Sequence, residues 1–255
     1  LATLAFGAIG MLASQQLARL AGYSVIASSG TLVAAVGFDA PALSGGALFY
    51  LASSTLAGCA LFLLVELLER ARQVEIGPEA IDDGQHALPA FVDAEPPAGA
   101  NLDDEEEALI GRALPAALVF LGLSFTLCAM VVAGLPPLTG FVAKLAMLQP
   151  LLQIGTPAAW TLFGLLIASG LLAAVALMRV GMRHFWTAQE RPAPRLRIVE
   201  TLPIAGLLVA ALLLVTQAEP VLAYTRATAE ALHTPDRYIA AVLEARPVLR
   251  QEVAP

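Results

Sequence analysis

Two prolines and one lysine lie close together in an apolar part of the sequence. The run Gly134-Leu135-Pro136-Pro137 is followed within a few residues by Lys144. Each proline removes a backbone N–H and crowds the preceding turn, so a helix should break at Pro136 and Pro137. At membrane depth such a break persists where it is buried in protein or lines a wet cavity. Broken helices of this kind form ion sites in transporters, and this is the chemistry that we expect here.

Lys144 stands between two runs of apolar residues, where a charge costs at least about 2.5–3.5 kcal/mol on insertion scales. One explanation is that its long side chain snorkels to the outer interface near Gln149 and Gln153. The other is that it faces a hydrated path inside the bundle, where burial disfavours the charged amine. Lysine can then release a proton that arginine would hold. We favour the second explanation and predict that Lys144 is a proton-relay group.

Hydroxyl side chains occur in two earlier apolar segments. Ser24 and Ser28 share one helix face by their i, i+4 spacing, and Tyr50 shares a face with Ser54. Each hydroxyl can simply bond its own helix or join neighbouring helices. As a group they could order water, and Ser28, Tyr50 and Ser53 are our candidates for a water or proton path.

The composition shows which elements position these residues. Of the 255 residues, 58% are hydrophobic and 14% are charged, whereas about a quarter are charged in soluble domains. Six apolar segments could span a bilayer in whole or in part. They cover about residues 1–13, 20–38, 47–68, 113–152, 158–180 and 201–215. The fold class predicted is all-α, a polytopic transmembrane helix bundle with one proline-broken helix.

The six apolar segments and the polar stretches between and after them divide the chain into four parts. Residues 1–68 should hold three transmembrane helices, the first of them truncated, with a tight turn at Asp39, Pro41 and Ser44-Gly45-Gly46. Residues 69–112 should be a disordered acidic loop, either a solvated spacer or a docking segment. Residues 113–216 should hold three more helices, including the broken helix 113–152. Residues 217–255 should form an amphipathic tail, at the interface or against a neighbouring subunit.

The basic residues predict the orientation in the membrane. Arg70, Arg72 and Arg112 flank the acidic loop, and more than half of the 21 acidic residues lie between Glu75 and Glu107. Because Lys and Arg gather on the cytoplasmic side, the loop is expected inside and the tail outside. The chain should therefore be a multi-pass protein of the cell (inner) membrane.

The remaining motifs argue against other classes of function. The three histidines, His86, His184 and His233, lie in the loop, at the end of a segment and in the tail, so they predict no metal site. No metalloprotease, hydrolase or nucleotide-binding motif is present. We expect no cofactor, no nucleic-acid partner and no enzymatic activity.

A family resemblance rests on the same residues. The run from Ala133 to Lys144 resembles the broken twelfth helix of the antiporter-like subunits that Mrp antiporters share with respiratory complex I. The segments 19–26, 53–56 with 60–64, and 221–230 resemble the D subunit of the Mrp (Pha, Mnh) monovalent cation/proton antiporters. The resemblance implies a fragment of a 14-helix antiporter-like subunit, running from the end of the ninth helix through the fourteenth.

The resemblance also implies a function. Lys144 matches the ionisable residue of the family's broken helix, which passes protons along the membrane midplane. Many relatives carry histidine near Ser28 and Ser53, so these serines are expected to support water rather than to titrate. The family's glutamate and lysines of earlier helices would lie upstream of Leu1. The chain would exchange sodium or another monovalent cation for protons, together with other antiporter subunits in a hetero-oligomeric complex in the lipid bilayer.

Two alternatives stay open from the sequence. The same fold serves as the proton-pumping subunit of NADH:quinone oxidoreductases and membrane-bound hydrogenases, in which it is part of an enzyme complex. A subunit that binds partners and transports nothing is the second alternative.

Overall fold

The structure is a computed structural model that describes residues 1–75, 116–186 and 198–244. All of its regular elements in these ranges are helices. A short π-helical turn at Met182–Trp186 follows the helix that ends at Gly181. The α-helices are α1 (Ala2–Ala13), α2 (Leu17–Val36), α3 (Pro41–Glu75), α4 (Ala116–Ala133), α5 (Thr139–Ile154), α6 (Pro157–Gly181), α7 (Ile198–Thr216), α8 (Ala218–His233) and α9 (Asp236–Leu243).

Five of these helices are long and apolar enough to cross a membrane: α2, α3, α4, α6 and α7. Helix α1 is apolar but shorter, and α4 and α5 are separated by the segment that contains Pro136 and Pro137. The predicted fold class, an all-α multi-pass bundle with one proline-broken helix, is confirmed. The predicted start of the acidic loop at residue 69 is wrong, because α3 continues to Glu75. The rest of the predicted loop, residues 76–112, lies outside the described residues.

Helix α3 is the centre of the bundle, because it packs against α2, α4, α5, α7 and α8. The sequence predicts a tight turn at Asp39, Pro41 and Ser44-Gly45-Gly46. This prediction is wrong from Pro41 onward, because α3 already begins there. Proline is well suited to a first helical position, where its missing N–H has no helical partner to lose. The glycines serve close packing instead of a turn. A Cβ on Gly45 would lie 2.9 Å from Arg226 Cα, and one on Gly46 would lie 2.9 Å from Ala146 O.

Helix α6 is a long helix that begins with a side-chain cap. Thr156 Oγ1 accepts a hydrogen bond from Ala159 N at 3.2 Å, and Pro157 stands in the first turn. The preceding helix α5 ends at Gly155, which has a positive φ of 64°. Helix α6 then packs against α1, α4 and α5, which places it beside the break between α4 and α5.

The tail helix α8 is fastened to the start of α3. Its last residue, His233, bonds Ser44 Oγ through Nε2 at 3.1 Å and pairs with Asp39 Oδ1 through Nδ1 at 3.1 Å. Helix α9 follows it and leaves Tyr238, Val242 and other apolar side chains exposed. Part of the tail therefore belongs to the bundle, while α9 presents an apolar face.

Candidate functional site

The C-terminal end of α4 forms the first half of the candidate site. Gly134 has a positive φ of 78°, and its N–H donates to Val131 O at 3.1 Å. The N–H of Leu135 donates to Met130 O at 2.9 Å. These two bonds form a Schellman motif, in which a glycine just beyond a helix satisfies two of its last four carbonyls. The carbonyls of the final two residues of α4 need other donors.

Lys144 supplies those donors from α5. Its Nζ donates to Ala133 O at 2.7 Å and to Val132 O at 3.4 Å, and the residue is only 9% exposed. A positive side chain is favoured there because the carbonyl end of a helix carries partial negative charge. Lys144 thus reaches back to the helix break instead of outward past Gln149. Neither explanation offered from the sequence includes this contact.

Glycines make room for the lysine side chain. A Cβ added to Gly134 would lie 2.6 Å from Lys144 Cδ. On α6, a Cβ added to Gly170 would lie 2.6 Å from Ala133 O and 3.0 Å from Lys144 Nζ. Such distances are shorter than ordinary non-bonded contacts, so larger residues would push the amine off the carbonyls. Helix α6 therefore shapes the site without contributing a polar side chain to it.

A cavity of about 290 Å³ opens beside the Lys144 side chain. Its walls are the helix break and facing residues of α5 and α6, most of them apolar, such as Leu148, Leu166 and Ile167. Apolar walls offer few competing polar groups, so water or a proton carrier that enters this cavity would meet Lys144 as its main polar partner.

A second cavity, of about 240 Å³, lies at the other side of the break, and we call it the hydroxyl cavity. Its polar lining comes from α2 and α3: Ser24, Ser28, Ser29, Tyr50, Ser53, Ser54 and Thr55. Tyr50 OH donates to Ser28 Oγ at 3.2 Å. Ser53 Oγ is buried and has no hydrogen-bond partner among the described residues.

The structure brings some of the sequence candidates together and keeps others apart. Ser28, Tyr50 and Ser53 line the hydroxyl cavity, which extends to Val131 and Val132 of α4. Lys144 lines the other cavity. The last turn of α4 lies between them, and Lys144 Nζ touches it through Val132 O. The relay candidate and the hydroxyl candidates therefore meet at one piece of backbone without touching each other.

Comparison with known proteins adds to this geometry. The chain is 45% identical over 251 residues to the D subunit of a probable K(+)/H(+) antiporter of Rhizobium meliloti, covering 95% of the chain and 44% of that protein. It is 29% identical over 245 residues to the D subunit of a Na(+)/H(+) antiporter of Bacillus subtilis, covering 95% of the chain and 43% of that protein. The predicted resemblance to the D subunit of cation/proton antiporters is confirmed.

The fold has a solved counterpart in an Mrp complex. The structure superposes on a chain of the Mrp complex from Dietzia sp. with a TM-score of 0.68 at 18% identity, covering 95% of this chain and 47% of that one. At this identity the likeness shows the fold alone. No family model matches the chain. The chain spans less than half the length of the antiporter relatives that it matches.

A residue that sequence reasoning missed lies at another helix end. The residue is Arg179, whose Nη2 donates to Leu12 O and, at 3.0 Å, to Ser14 O. Arg179 therefore covers the carbonyl end of α1 in the way that Lys144 covers that of α4. A basic residue in the last turn of a long apolar helix was the available signal. Its partner lies more than 160 residues earlier, so no local pattern identifies it.

The sequence contains a further signal that points to Lys144. It is the only lysine of the 255 residues, since every other strongly basic residue is an arginine. Within residues 1–75, 116–186 and 198–244, no three His, Cys, Asp or Glu side chains group closely enough to hold a metal ion. The polar groups that the structure brings together at the site are an amine, hydroxyls and backbone carbonyls.

Proposed function

We propose that the chain is part of a membrane subunit of a monovalent cation/proton antiporter, and that Lys144 passes protons at the break between α4 and α5. The observation that carries the proposal is the buried Lys144 amine on the carbonyls of Val132 and Ala133. The names of the antiporter relatives support antiport over the redox-linked and the purely structural alternatives.

The contact of Lys144 gives the proton transfer a physical consequence. A protonated amine holds two backbone carbonyls that have no helical donor of their own. When the amine loses its proton, it keeps two N–H donors but loses its charge, so its hydrogen bonds to these carbonyls and its attraction to the carbonyl end of α4 both weaken. Proton release therefore weakens the junction between α4 and α5. In this way a change of charge on one side chain alters the packing of two half-helices.

In this proposal, water in the two cavities would carry the proton to and from the amine. The hydroxyls of Ser28, Tyr50 and Ser53 can hold water up to the last turn of α4. The cavity beside Lys144 lies against the residues that follow, Ala133, Gly134 and Leu135. A proton that crosses the site would move along water in the hydroxyl cavity, onto the Lys144 amine, and out through the second cavity.

The cation and the partners are part of the same proposal. Sodium is the cation expected from the sequence, and the relatives' names include both K⁺ and Na⁺, so both ions belong in the assay. The chain would work with other antiporter subunits in a hetero-oligomeric membrane complex. Its acidic loop would face the cytoplasm and its tail the outside, in accord with the positions of Arg70, Arg72 and Arg112.

The test is Lys144→Ala in the full-length subunit within its complex. Proton flux driven by Na⁺ or K⁺ would be measured in inside-out vesicles with a pH-sensitive dye, and assembly would be measured by purification of the complex. We expect antiport to be lost while the complex still assembles, because alanine removes the relay group but fits a buried helix. Near-normal flux driven by either cation would contradict the proposal.

A further inference from the structure

Most hydroxyl groups of the hydroxyl cavity have already committed their protons. Ser24 Oγ donates to Ala21 O at 2.7 Å, and Ser54 Oγ and Thr55 Oγ1 donate to Leu51 O at 3.2 and 2.7 Å. A hydroxyl has one proton and two lone pairs. Once the proton points to a backbone carbonyl, only oxygen lone pairs remain for the cavity. These three groups therefore act as acceptors or as ligands.

One further group follows the same pattern, and another has no partner. Tyr50 OH commits its proton to Ser28 Oγ at 3.2 Å. Ser53 is 1% exposed, lines the cavity and makes no hydrogen bond within the described residues. A buried hydroxyl without a partner costs free energy, so Ser53 requires something inside the cavity to bond. Ser28, Ser29 and Ser53 each keep a proton to donate, but every hydroxyl oxygen has two lone pairs, so the lining as a whole offers more acceptors than donors.

This excess of neutral oxygen acceptors selects the class of ligand. An anion would face oxygen lone pairs, and the cavity has no basic side chain in its described lining to offset them. A divalent ion normally takes carboxylate ligands, and the same lining contains no acidic residue either. An apolar molecule would leave Ser53 unbonded. A monovalent cation suits neutral oxygens, which can replace part of its water shell.

The size of the cavity and the strength of its ligands distinguish between monovalent cations. A volume of about 240 Å³ has room for an ion together with several of its waters. Neutral hydroxyls are weaker ligands than carboxylates, and K⁺ gives up water more readily than the smaller Na⁺. We propose that the hydroxyl cavity binds a partly hydrated K⁺ ion, with Ser53, Tyr50 and Ser28 as its ligands.

This site deepens the proposed antiport function and rests on it, because it names where the exchanged cation would bind. The cavity proposed to hold water for the proton would hold the cation in turn. If the cavity holds either the proton-carrying water or the cation but not both, the movement of one ion would be coupled to that of the other. The cation site lies on α2 and α3, while the relay group lies on α5, so each can be altered separately.

The experiment measures equilibrium binding of ⁸⁶Rb⁺, a tracer for K⁺, to the purified intact complex in a buffer whose only other cation is choline. Two substitutions remove the ligand without enlarging the residue much: Ser53→Ala and Ser53→Cys. Sulfur is a poor ligand for a hard cation, so both should lower the Rb⁺ affinity by about tenfold or more. Thermal unfolding of each variant would show that the fold is retained.

Ser124→Ala is the matched control, because Ser124 is equally buried at 2% exposure but lies outside the cavity lining. Its Rb⁺ affinity should equal that of the wild type. Unchanged affinity in both Ser53 variants would overturn the site, and an occupant of water alone would give this result.

The antiport assay separates this inference from the proposed function. Loss of flux in Lys144→Ala together with unchanged Rb⁺ binding in the Ser53 variants would leave the proposed function standing and remove the cation site. Weaker Rb⁺ binding in the Ser53 variants together with normal flux in Lys144→Ala would support the cation site and contradict the proposed function.

Discussion

Two helices of this protein end in the same way but are covered by different side chains. The carbonyls at the end of α4 are held by Lys144 from α5, and those at the end of α1 are held by Arg179 from α6. Both contacts place a positive charge on the partially negative end of a helix. Each contact also links two different helices: α5 to α4 through Lys144, and α6 to α1 through Arg179. As structural devices the two contacts are close to equivalent.

Their chemistry differs in one property on which the proposed proton transfer depends. Arginine is always charged in proteins, whereas a buried lysine can give up its proton. Arg179 also touches neither of the two cavities at the helix break, while Lys144 lines one of them. We therefore distinguish a permanent cap, whose side chain always keeps its charge, from a switched cap, whose side chain would lose its charge when it releases a proton. Variants of each cap, and of the residues around it, test this distinction.

The largest effect on stability is expected for Arg179→Ala. This change leaves Leu12 O and Ser14 O without their donor and removes a charged hydrogen-bonding group. Hydrogen bonds to charged groups contribute about 1.5–3 kcal/mol each, so we expect a loss of about 3 kcal/mol in the free energy of unfolding. Thermal unfolding of the purified complex would show it, and the antiport rate per folded complex should stay within about twofold of wild type.

Arg19→Ala serves as the control, because Arg19 is an exposed arginine near the same end of the bundle. Its unfolding free energy should change by no more than about 0.5 kcal/mol. A loss of antiport in Arg179→Ala without any loss of stability would remove the distinction between the two caps.

A smaller effect is expected for Gly170→Ala on α6. The added Cβ would lie 2.6 Å from Ala133 O and 3.0 Å from Lys144 Nζ, so the amine would have to move away from its carbonyls. Overpacking of this kind costs about 1–3 kcal/mol, and here it falls on the switched cap. We expect slower antiport with a modest loss of stability.

Gly164 on the same helix provides the comparison. A Cβ on Gly164 would meet no other group within 4 Å in the described part of the chain. Gly164→Ala should therefore leave both flux and stability at wild-type values or slightly raise stability. Equal flux in the two alanine variants would show that crowding at Lys144 does not matter.

Local patterns predicted a good part of this structure. Apolar runs of sufficient length predict the membrane helices, and Pro136 and Pro137 predict a break, because both signals depend on neighbours in sequence. The cap on α4 could not be predicted, because it depends on which carbonyls the turn at Gly134 leaves unpaired. The contact of Arg179 with the end of α1 could not be predicted either, since its partners are distant in sequence.

Gly45 and Gly46 show a second limit of local patterns. Glycines beside a serine and close to a proline are typical of turns, and the sequence predicts a turn there. In the structure they lie in the first turns of α3, where Arg226 and Ala146 approach the helix closely. Glycine permits both a turn and a close contact, and only the packed neighbours decide between them.

The most direct test of a switched cap is Lys144→Arg in the full-length subunit, measured as cation-driven proton flux in vesicles. Arginine retains a positive charge and donors for the carbonyls of Val132 and Ala133 but cannot release a proton. A switched cap predicts an assembled, folded complex whose antiport is lost as completely as in Lys144→Ala. Wild-type flux in Lys144→Arg would show that Lys144 is a permanent cap like Arg179, and would contradict its role as a proton relay.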